Sequence, residues 1–374
     1  MIEEYSLGWS QDQHWLHRRF KPSRLRQALE YGFPDDETTG ALSMLFYGGD
    51  FFDHLADSVH DEDFQDACAY ISWRCQSASR LDYPIRVLRG TKSHDMDQAQ
   101  WWVKINDSLN KPADLKYVDR VSIEHHPILG DILYVPDNWK PTADEVWEDV
   151  CELLRSKNMT MVDWIIMHGA FKHQLPEHLH NKVHFLHDSQ RYSSICRKYV
   201  LVGHVHLQSQ WKNIISCGSL DRQAFGEEAP KGVLKIKVKP TGDEILFIEN
   251  PYARVMLTYP VQDDAPDIED VVHWIDDQIN KYTDEYMSLR FICPKSSELY
   301  LNQKALMQKY PNVELVFKDN EDKAKNTHLI KLNQTKTLQT EYDLSNDSVV
   351  VMLNQRIGDK LTPSISDKIK SIFS

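Results

Sequence analysis

The sequence of 374 residues exceeds what a single hydrophobic core usually serves, so a large domain with a smaller companion is expected. Apolar residues at 41% and charged residues at 26% exclude wholesale disorder, and no apolar run approaches the ~18 residues of a membrane span. With 43 Lys and Arg against 56 Asp and Glu, the net charge of −13 speaks against a free-standing nucleic-acid binder, although bound divalent cations or a basic partner subunit would offset it.

The N-terminus, MIEEYSLGWS, has no basic start followed by an apolar stretch. No signal peptide is therefore expected, and the cytoplasm is the expected location. A first strand runs up to Asp12. Short apolar runs bounded by turn residues then predict buried strands at 42–47, 85–88, 132–135, 164–167, 199–202, 211–216 and 233–238. Thr142 and Glu145 form a capping box at the start of a helix whose Val146, Val150 and Leu153 share one face. The alternation predicts a layered α/β domain over residues 1–248.

The texture changes near residues 249–259. Ile268, Val271, Val272, Ile275 and Ile279 recur at helical spacing, 287–293 and 313–317 read as strands, and 298–309 reads as a helix. These elements predict a small α/β domain over 249–319. Residues 320–346 are polar and read as a linker. The apolar stretch that follows, to residue 374, is either a docked tail or a partner-binding segment, because so much apolar surface is costly to leave in water.

Six cysteines (68, 75, 151, 196, 217 and 293) stand far apart with no CxxC pair, so buried, reduced thiols are expected and a sulfur metal site is not. His125 and His126, before Pro127, read as surface imidazoles in a loop. His173, His178, His180, His184 and His187 are irregularly spaced, which favours surface or packed imidazoles over a zinc site. Trp101 and Trp102 read as core, with base stacking as the alternative.

The chemistry is carried by five turns that follow predicted strands: Asp12-Gln13-His14, Gly49-Asp50-Phe51-Phe52-Asp53, Gly90-Thr91-Lys92-Ser93-His94-Asp95, His168-Gly169, and Gly203-His204-Val205-His206. In an open α/β sheet, ligands gather beyond the carboxyl ends of the strands. The first and third residues of an extended segment point the same way, so Asp12 with His14, or His204 with His206, can reach one ion. Carboxylate and imidazole donors without thiolate suit Mn, Fe or Zn outside a structural zinc site. One carboxylate shared between two such sets would bridge two ions, the clamp used for in-line phosphoryl displacement.

The order DxH, GDxxD, Gly-to-His-Asp, strand-His and GHxH resembles the calcineurin-like metallophosphoesterases. The run CGSLDRQAFGEEAPKG at 217–232 is similar to the GS–xx–R–xx–F–x–E…KG segment of the SbcD-like nucleases of that superfamily, which act in DNA double-strand-break repair and recombination. The resemblance covers residues 5–240 by motif. It implies a β-sandwich flanked by helices, with a small α/β capping domain and a C-terminal tail. It also implies a manganese-preferring DNA exonuclease and single-strand endonuclease. Such a subunit dimerises within a heterotetramer with an SbcC-like coiled-coil ATPase, and no membrane is involved.

Carried over residue by residue, the resemblance implies that Asp12, His14 and His206 hold one of two divalent ions, that His168 and His204 hold the other, and that Asp50 bridges them. His94 is implied as the catalytic residue that positions the phosphate or protonates the leaving oxygen. Asp53 either anchors its turn or orients a ligand histidine. Arg222 either contacts phosphate or is structural. The family's third motif is Gly-Asn-His-Asp or Gly-Asn-His-Glu, and its Asn ligates the second ion. This chain has no Asn there, so Thr91, Ser93 and water are the candidates for that oxygen. The rival readings are a phosphoprotein phosphatase or small-molecule phosphodiesterase, and a scaffold subunit with weak catalysis.

Overall fold

The computed structural model describes residues 5–18, 21–35, 42–175, 185–260, 267–282 and 287–319. The linker and tail expected over 320–374 lie outside them, as do His178, His180 and His184.

Two six-stranded sheets form the body. The first takes β1 (Tyr5–Ser10), β2 (Met44–Tyr47), β3 (Ile85–Leu88) and β4 (Leu115–Val118), all parallel, and closes on the other side with two strands from later in the chain. The second takes β5 (Ser122–His126), β6 (Gly130–Val135), β7 (Trp164–His168), β8 (Val200–Gly203), β9 (Ser209–Trp211) and β10 (Ile214–Ser216), in the order β5-β6-β7-β8-β10-β9. Next, β11 (Gly232–Val238) and β12 (Glu244–Glu249) return to the first sheet, whose order is β12-β11-β1-β2-β3-β4.

Both faces of each sheet are buried, which is why the central strands read as continuous apolar runs. Alternate residues go to opposite faces. Leu7, Trp9, Met44 and Phe46 meet Ile132, Tyr134, Trp164 and Ile166 between the sheets. Leu45 and Tyr47 face outward, under α1 (Pro22–Gly32), α2 (Glu62–Leu81) and α3 (Trp101–Asp107). On the far side, Ile165 and Met167 pack under α4 (Ala143–Ser156) and α5 (Ser189–Ile195). The result is a helix–sheet–sheet–helix sandwich: the layered α/β body that the sequence pattern predicts, in the form that the resemblance implies.

A third sheet is built after residue 250. Its strands β13 (Met256–Thr258), β14 (Ser288–Ile292) and β15 (Glu314–Lys318) are parallel and adjacent in that order. It carries α6 (Ile268–Lys281), α7 (Glu298–Leu301) and α8 (Gln303–Lys309). Asp267 caps α6 by accepting from Glu269 N–H, and Val271 and Ile275 are buried with Leu289, Phe291 and Leu306.

Four expectations change. The run 211–216 is a hairpin of two strands, turning at Lys212 with φ 50°, because Lys212-Asn213 breaks the apolar run. The helix expected over 298–309 breaks at Asn302. His125 and His126 lie on strand β5, paired with Asp131 and Gly130, and His126 Nε2 is 2.8 Å from the Tyr5 hydroxyl. Helices α1 and α2 have no counterpart in the sequence reading. The second is well capped: Asp61 accepts from Phe64 N–H, and Asp82 ends the helix in the left-handed region. Among the described residues, no helix is long and apolar enough to cross a membrane.

Candidate metal centre

The strands β1, β2, β3, β7 and β8 end at one edge of the sandwich, and the five turns meet there. The turns are knitted backbone to backbone: Asp12 N–H donates to Gly49 O, His14 N–H to Asp50 O, and Gly169 N–H to Gly203 O. Aiming the donors bends the chain sharply. Asp12, His14, Asp50 and His204 adopt φ of 48°, 50°, 49° and 103°. Such conformations cost on the order of 1–3 kcal/mol each and persist where surrounding structure holds them. Gly49, at φ 91°, and Gly90 are required outright: a Cβ on Gly49 would collide with the His168 ring, and one on Gly90 with the Asp50 backbone.

The donors form two sets that share Asp50. In the first, Asp12, His14 and Asp50 bring donor atoms within 4.8 Å of one another, and His14 Nε2 lies 3.3 Å from His206 Nε2. Two nitrogens held ~2.1 Å from one ion, at angles between square and tetrahedral, stand ~3.0–3.4 Å apart, so this pair fits a shared ion. In the second set, Asp50, His168 and His204 likewise lie within 4.8 Å of one another, with His168 Nε2 at 3.4 Å from Asp50 Oδ2. A third grouping, His14, Asp53 and His94, flanks the first. The donor chemistry is oxygen and imidazole nitrogen, and Asp12, His14, Asp50 and His168 are at most 1% exposed. The residues present therefore fit divalent ions.

Three rings, those of His168, His206 and His94, have their second nitrogen against a fixed oxygen, which sets their orientation. His168 Nδ1 is 2.6 Å from Gly48 O; a carbonyl only accepts, so Nδ1 carries the hydrogen and Nε2 faces Asp50. His206 Nδ1 is 3.2 Å from Glu227 Oε1. His14 Nδ1 is 3.3 Å from Asp53 Oδ1, in contact but without hydrogen-bond alignment. His94 Nδ1 donates to Asp53 O at 2.7 Å. Asp53 thus touches two rings, one by its carboxylate and one by its carbonyl.

Electrostatics follow from burial and from Asp50. Burial lowers His14 to about 4, and lowers His204 to about 3 with help from the charge on His168. Burial also opposes charge on His168, but Asp50 outweighs it and lifts the ring to about 10. Asp50 itself would be raised by burial, yet the surrounding histidines hold it well below the ordinary carboxylate value. Burial works against a proton on His94 too, and the Asp50 charge and the Asp53 carbonyl overcome it, so His94 is raised. An ion entering such a cluster takes the place of protons.

Thr91 is in the centre and Ser93 is on the surface. Thr91 is 3% exposed, and its Oγ1 is 3.0 Å from Asp50 Oδ2, 3.2 Å from His168 Nε2 and 3.3 Å from His204 Nδ1. Ser93 is exposed. Arg222 fastens backbone: its guanidinium donates to the carbonyls of Glu227, Glu228, Ala229 and Arg254.

Four residues without an assigned role in the sequence reading support the centre. Asp95, fully buried, accepts from Phe52 N–H and Gly90 N–H and so ties two of the turns together. Burial, then the charge of Asp50, pushes it up to about 7. Gln11 donates to Asp12 Oδ2 and to Val205 O. Lys231, 1% exposed, donates at 2.9 Å to Glu227 Oε2, Ser219 Oγ and His206 O. Glu227 and Lys231 lie inside the 217–232 run, so their signal was present as a motif with no role attached. A neutral Gln beside a DxH motif gives no signal.

The remaining candidates lie elsewhere. Trp102 is buried among Tyr47, Phe51 and Tyr70, and Trp101 packs against Phe64. His173 stacks between Phe171 and Trp211, and His187 is buried beside Tyr192.

No family model matches this chain, and no curated protein matches it. Among solved structures, one aligns over 66% of this chain and 99% of its own length at 11% identity, with a TM-score of 0.37.

Proposed function

We propose that this chain is a two-metal phosphodiesterase that cleaves DNA, a nuclease subunit of the SbcD-like kind working with a coiled-coil ATPase. The observation that carries the reading is the sharing of one buried carboxylate, Asp50, between two oxygen–imidazole donor sets at a common sheet edge. Asp12, His14 and His206 would hold one ion, and His168 and His204 the other. When bound, such ions supply charge stabilisation for a phosphoryl oxygen and a nucleophile at neutral pH, with manganese the expected metal.

The chain's own residues do the rest. Glu227 holds the ring of His206, and the Asp53 carboxylate stands against the ring of His14. His94 is anchored through Nδ1 and keeps a proton above the usual histidine range, which suits a group that meets phosphate or protonates a leaving sugar oxygen. The DNA preference rests on the likeness of the 217–232 run to the SbcD-like segment. The partner ATPase would supply the positive surface that a chain of net charge −13 lacks.

The test is cleavage of end-labelled DNA beside a generic phosphodiester, with the full chain and Mn2+. DNA should be degraded, and His94→Ala should lose at least ~100-fold in rate, the upper part of the range for general acid–base groups, while still binding Mn2+. Turnover of the generic ester alone would place the chain among small-molecule phosphodiesterases. Absence of any turnover at saturating Mn2+ would leave a scaffold.

A further inference from the structure

We propose that Thr91 supplies the neutral oxygen donor of the second ion's ligand set while its hydroxyl hydrogen holds Asp50, so that the two ions bind in separate steps and Thr91 governs the weaker one. The proposal rests on the two-metal reading and adds a ligand that the family pattern does not contain.

The geometry is specific. A hydroxyl has one hydrogen to give and two lone pairs. The ionised Asp50 carboxylate can only accept, so the hydrogen goes to its Oδ2 at 3.0 Å. The lone pairs are left among His168 Nε2 at 3.2 Å and His204 Nδ1 at 3.3 Å. With the 3.4 Å between Asp50 Oδ2 and His168 Nε2, the hydroxyl oxygen, that carboxylate oxygen and that nitrogen stand at the mutual spacing of ligands around one centre, ~3.0–3.4 Å, and His204 Nδ1 joins them through Thr91. The exception is Asp50 to His204, at 4.0 Å, which leaves that flank open.

Thr91 also grips the other oxygen of Asp50, its backbone N–H donating to Oδ1 at 2.6 Å. One residue therefore fixes both oxygens of the shared carboxylate. An Asn amide oxygen at this position could serve as a donor, but its hydrogens sit on a separate nitrogen, so one atom could not both face the ion and hold Asp50 as the Thr91 hydroxyl does. The loop does not depend on the Thr91 side chain for its shape. Gly90 N–H is held by Asp95, and the N–H groups of His94 and Asp95 both donate to Thr91 O.

Charge sets the order of binding. The first set has two carboxylates, Asp12 and Asp50. The second has only its share of Asp50, two imidazoles and an alcohol. A divalent ion is held less tightly by the less charged set of hard donors.

The experiment is calorimetric titration of MnCl2 into the full chain after removal of metal by chelator, with a thermal melt of each metal-free protein. Wild type should bind two ions in two resolved steps. Thr91→Val, which keeps the shape and loses the oxygen, should keep the tight step and weaken the other at least tenfold. Thr91→Ser should keep both steps. If Thr91→Val does not melt cooperatively, Thr91→Asn takes its place: it should keep the weaker step through its amide oxygen. Two unchanged steps in Thr91→Val, or loss of the weaker step in Thr91→Ser or in Thr91→Asn, overturns the proposal while two-metal binding by the wild type stands. A wild-type chain that binds no Mn2+ removes the two-metal reading itself.

Discussion

The two-sheet body and the three-stranded unit after residue 250 obey the same rules of packing and differ in backbone strain. In the unit, none of the described non-glycine residues has a positive φ, and its first two helices start at ordinary Asp267 and Ser297 caps. In the body, four of the candidate metal donors sit in left-handed or stretched conformations at strand ends. Regular sheet and helix need nothing beyond periodicity and capping. Bringing five turns to one point requires bent backbone, and four of the donors sit in the bends themselves.

The 217–232 run joins these two regions. Toward the metal centre it gives Glu227 and Lys231 to His206. Toward the unit it gives Arg222 to the Arg254 carbonyl, Glu228 to Thr258 N–H, and the Phe225 ring to the Arg290 guanidinium at 4.7 Å. The run that resembles a nuclease signature is thus, physically, the seam between a strained site and an unstrained support.

The sharpest way to break the comparison is to damage the unit and watch the site. Phe291 is fully buried, stacked on Phe317 and edge-on to Trp274. Phe291→Ala should cost about 3–5 kcal/mol in urea denaturation, the range for deleting a buried aromatic ring. Mn2+ affinity measured by calorimetry at low temperature should stay within twofold of wild type. A parallel fall in affinity would mean that the regions are one cooperative body. A smaller effect is expected at the seam. Glu227→Gln preserves shape and removes the charge that orients His206, and should weaken Mn2+ binding by ~10–100-fold. Lys231 keeps Ser219 and the His206 carbonyl, so stability should fall less than in Phe291→Ala. Unchanged affinity would reduce the seam to packing.

Legibility in the sequence followed the same division. Strands buried on both faces, such as β2 and β7, were readable because continuous apolar runs need no tertiary context. The helix at Thr142 was readable from its cap, and Thr142 Oγ1 does accept from Glu145 N–H. Helix α2 was not, because its inward face mixes Ala67, Tyr70, Ser77 and a buried Arg74 that bonds to Leu29 O and Phe33 O, a polar contact that only the fold supplies. In the site, spacing identified the donors because each stands in a short turn after a strand. It left Thr91 and Ser93 equivalent, since only the bend of the loop buries one and exposes the other. Glu227 acts on His206 from 21 residues away, a distance at which sequence spacing carries no geometry.

The smallest effect tests whether the body is held together independently of its metal edge. Arg86 on β3 is 2% exposed and makes a two-pronged bond to Glu124 on β5, at 2.7 and 2.8 Å, so one ion pair links the two sheets. Burial pushes the Glu124 carboxyl up, but bonds from Arg86 and Lys116 prevail and bring it down to about 2, from an ordinary 4.5. A carboxyl with a lower value in the folded state than in the unfolded one stabilises the fold fully above the unfolded value, and that stability is lost as pH falls through the folded value. The window is therefore from about 4.5 down to about 2. Glu124 is partly open to water, so screening leaves about 1 kcal/mol, or roughly 2 °C in Tm for a protein of this size. Glu124→Gln should melt about 2 °C below wild type at pH 7 in chelator, and the gap should close as the pH approaches 2. A gap that persists at low pH would assign the contribution of Glu124 to shape instead of charge. A gap that appears only with Mn2+ present would mean that the sheets are held together through the metal edge after all.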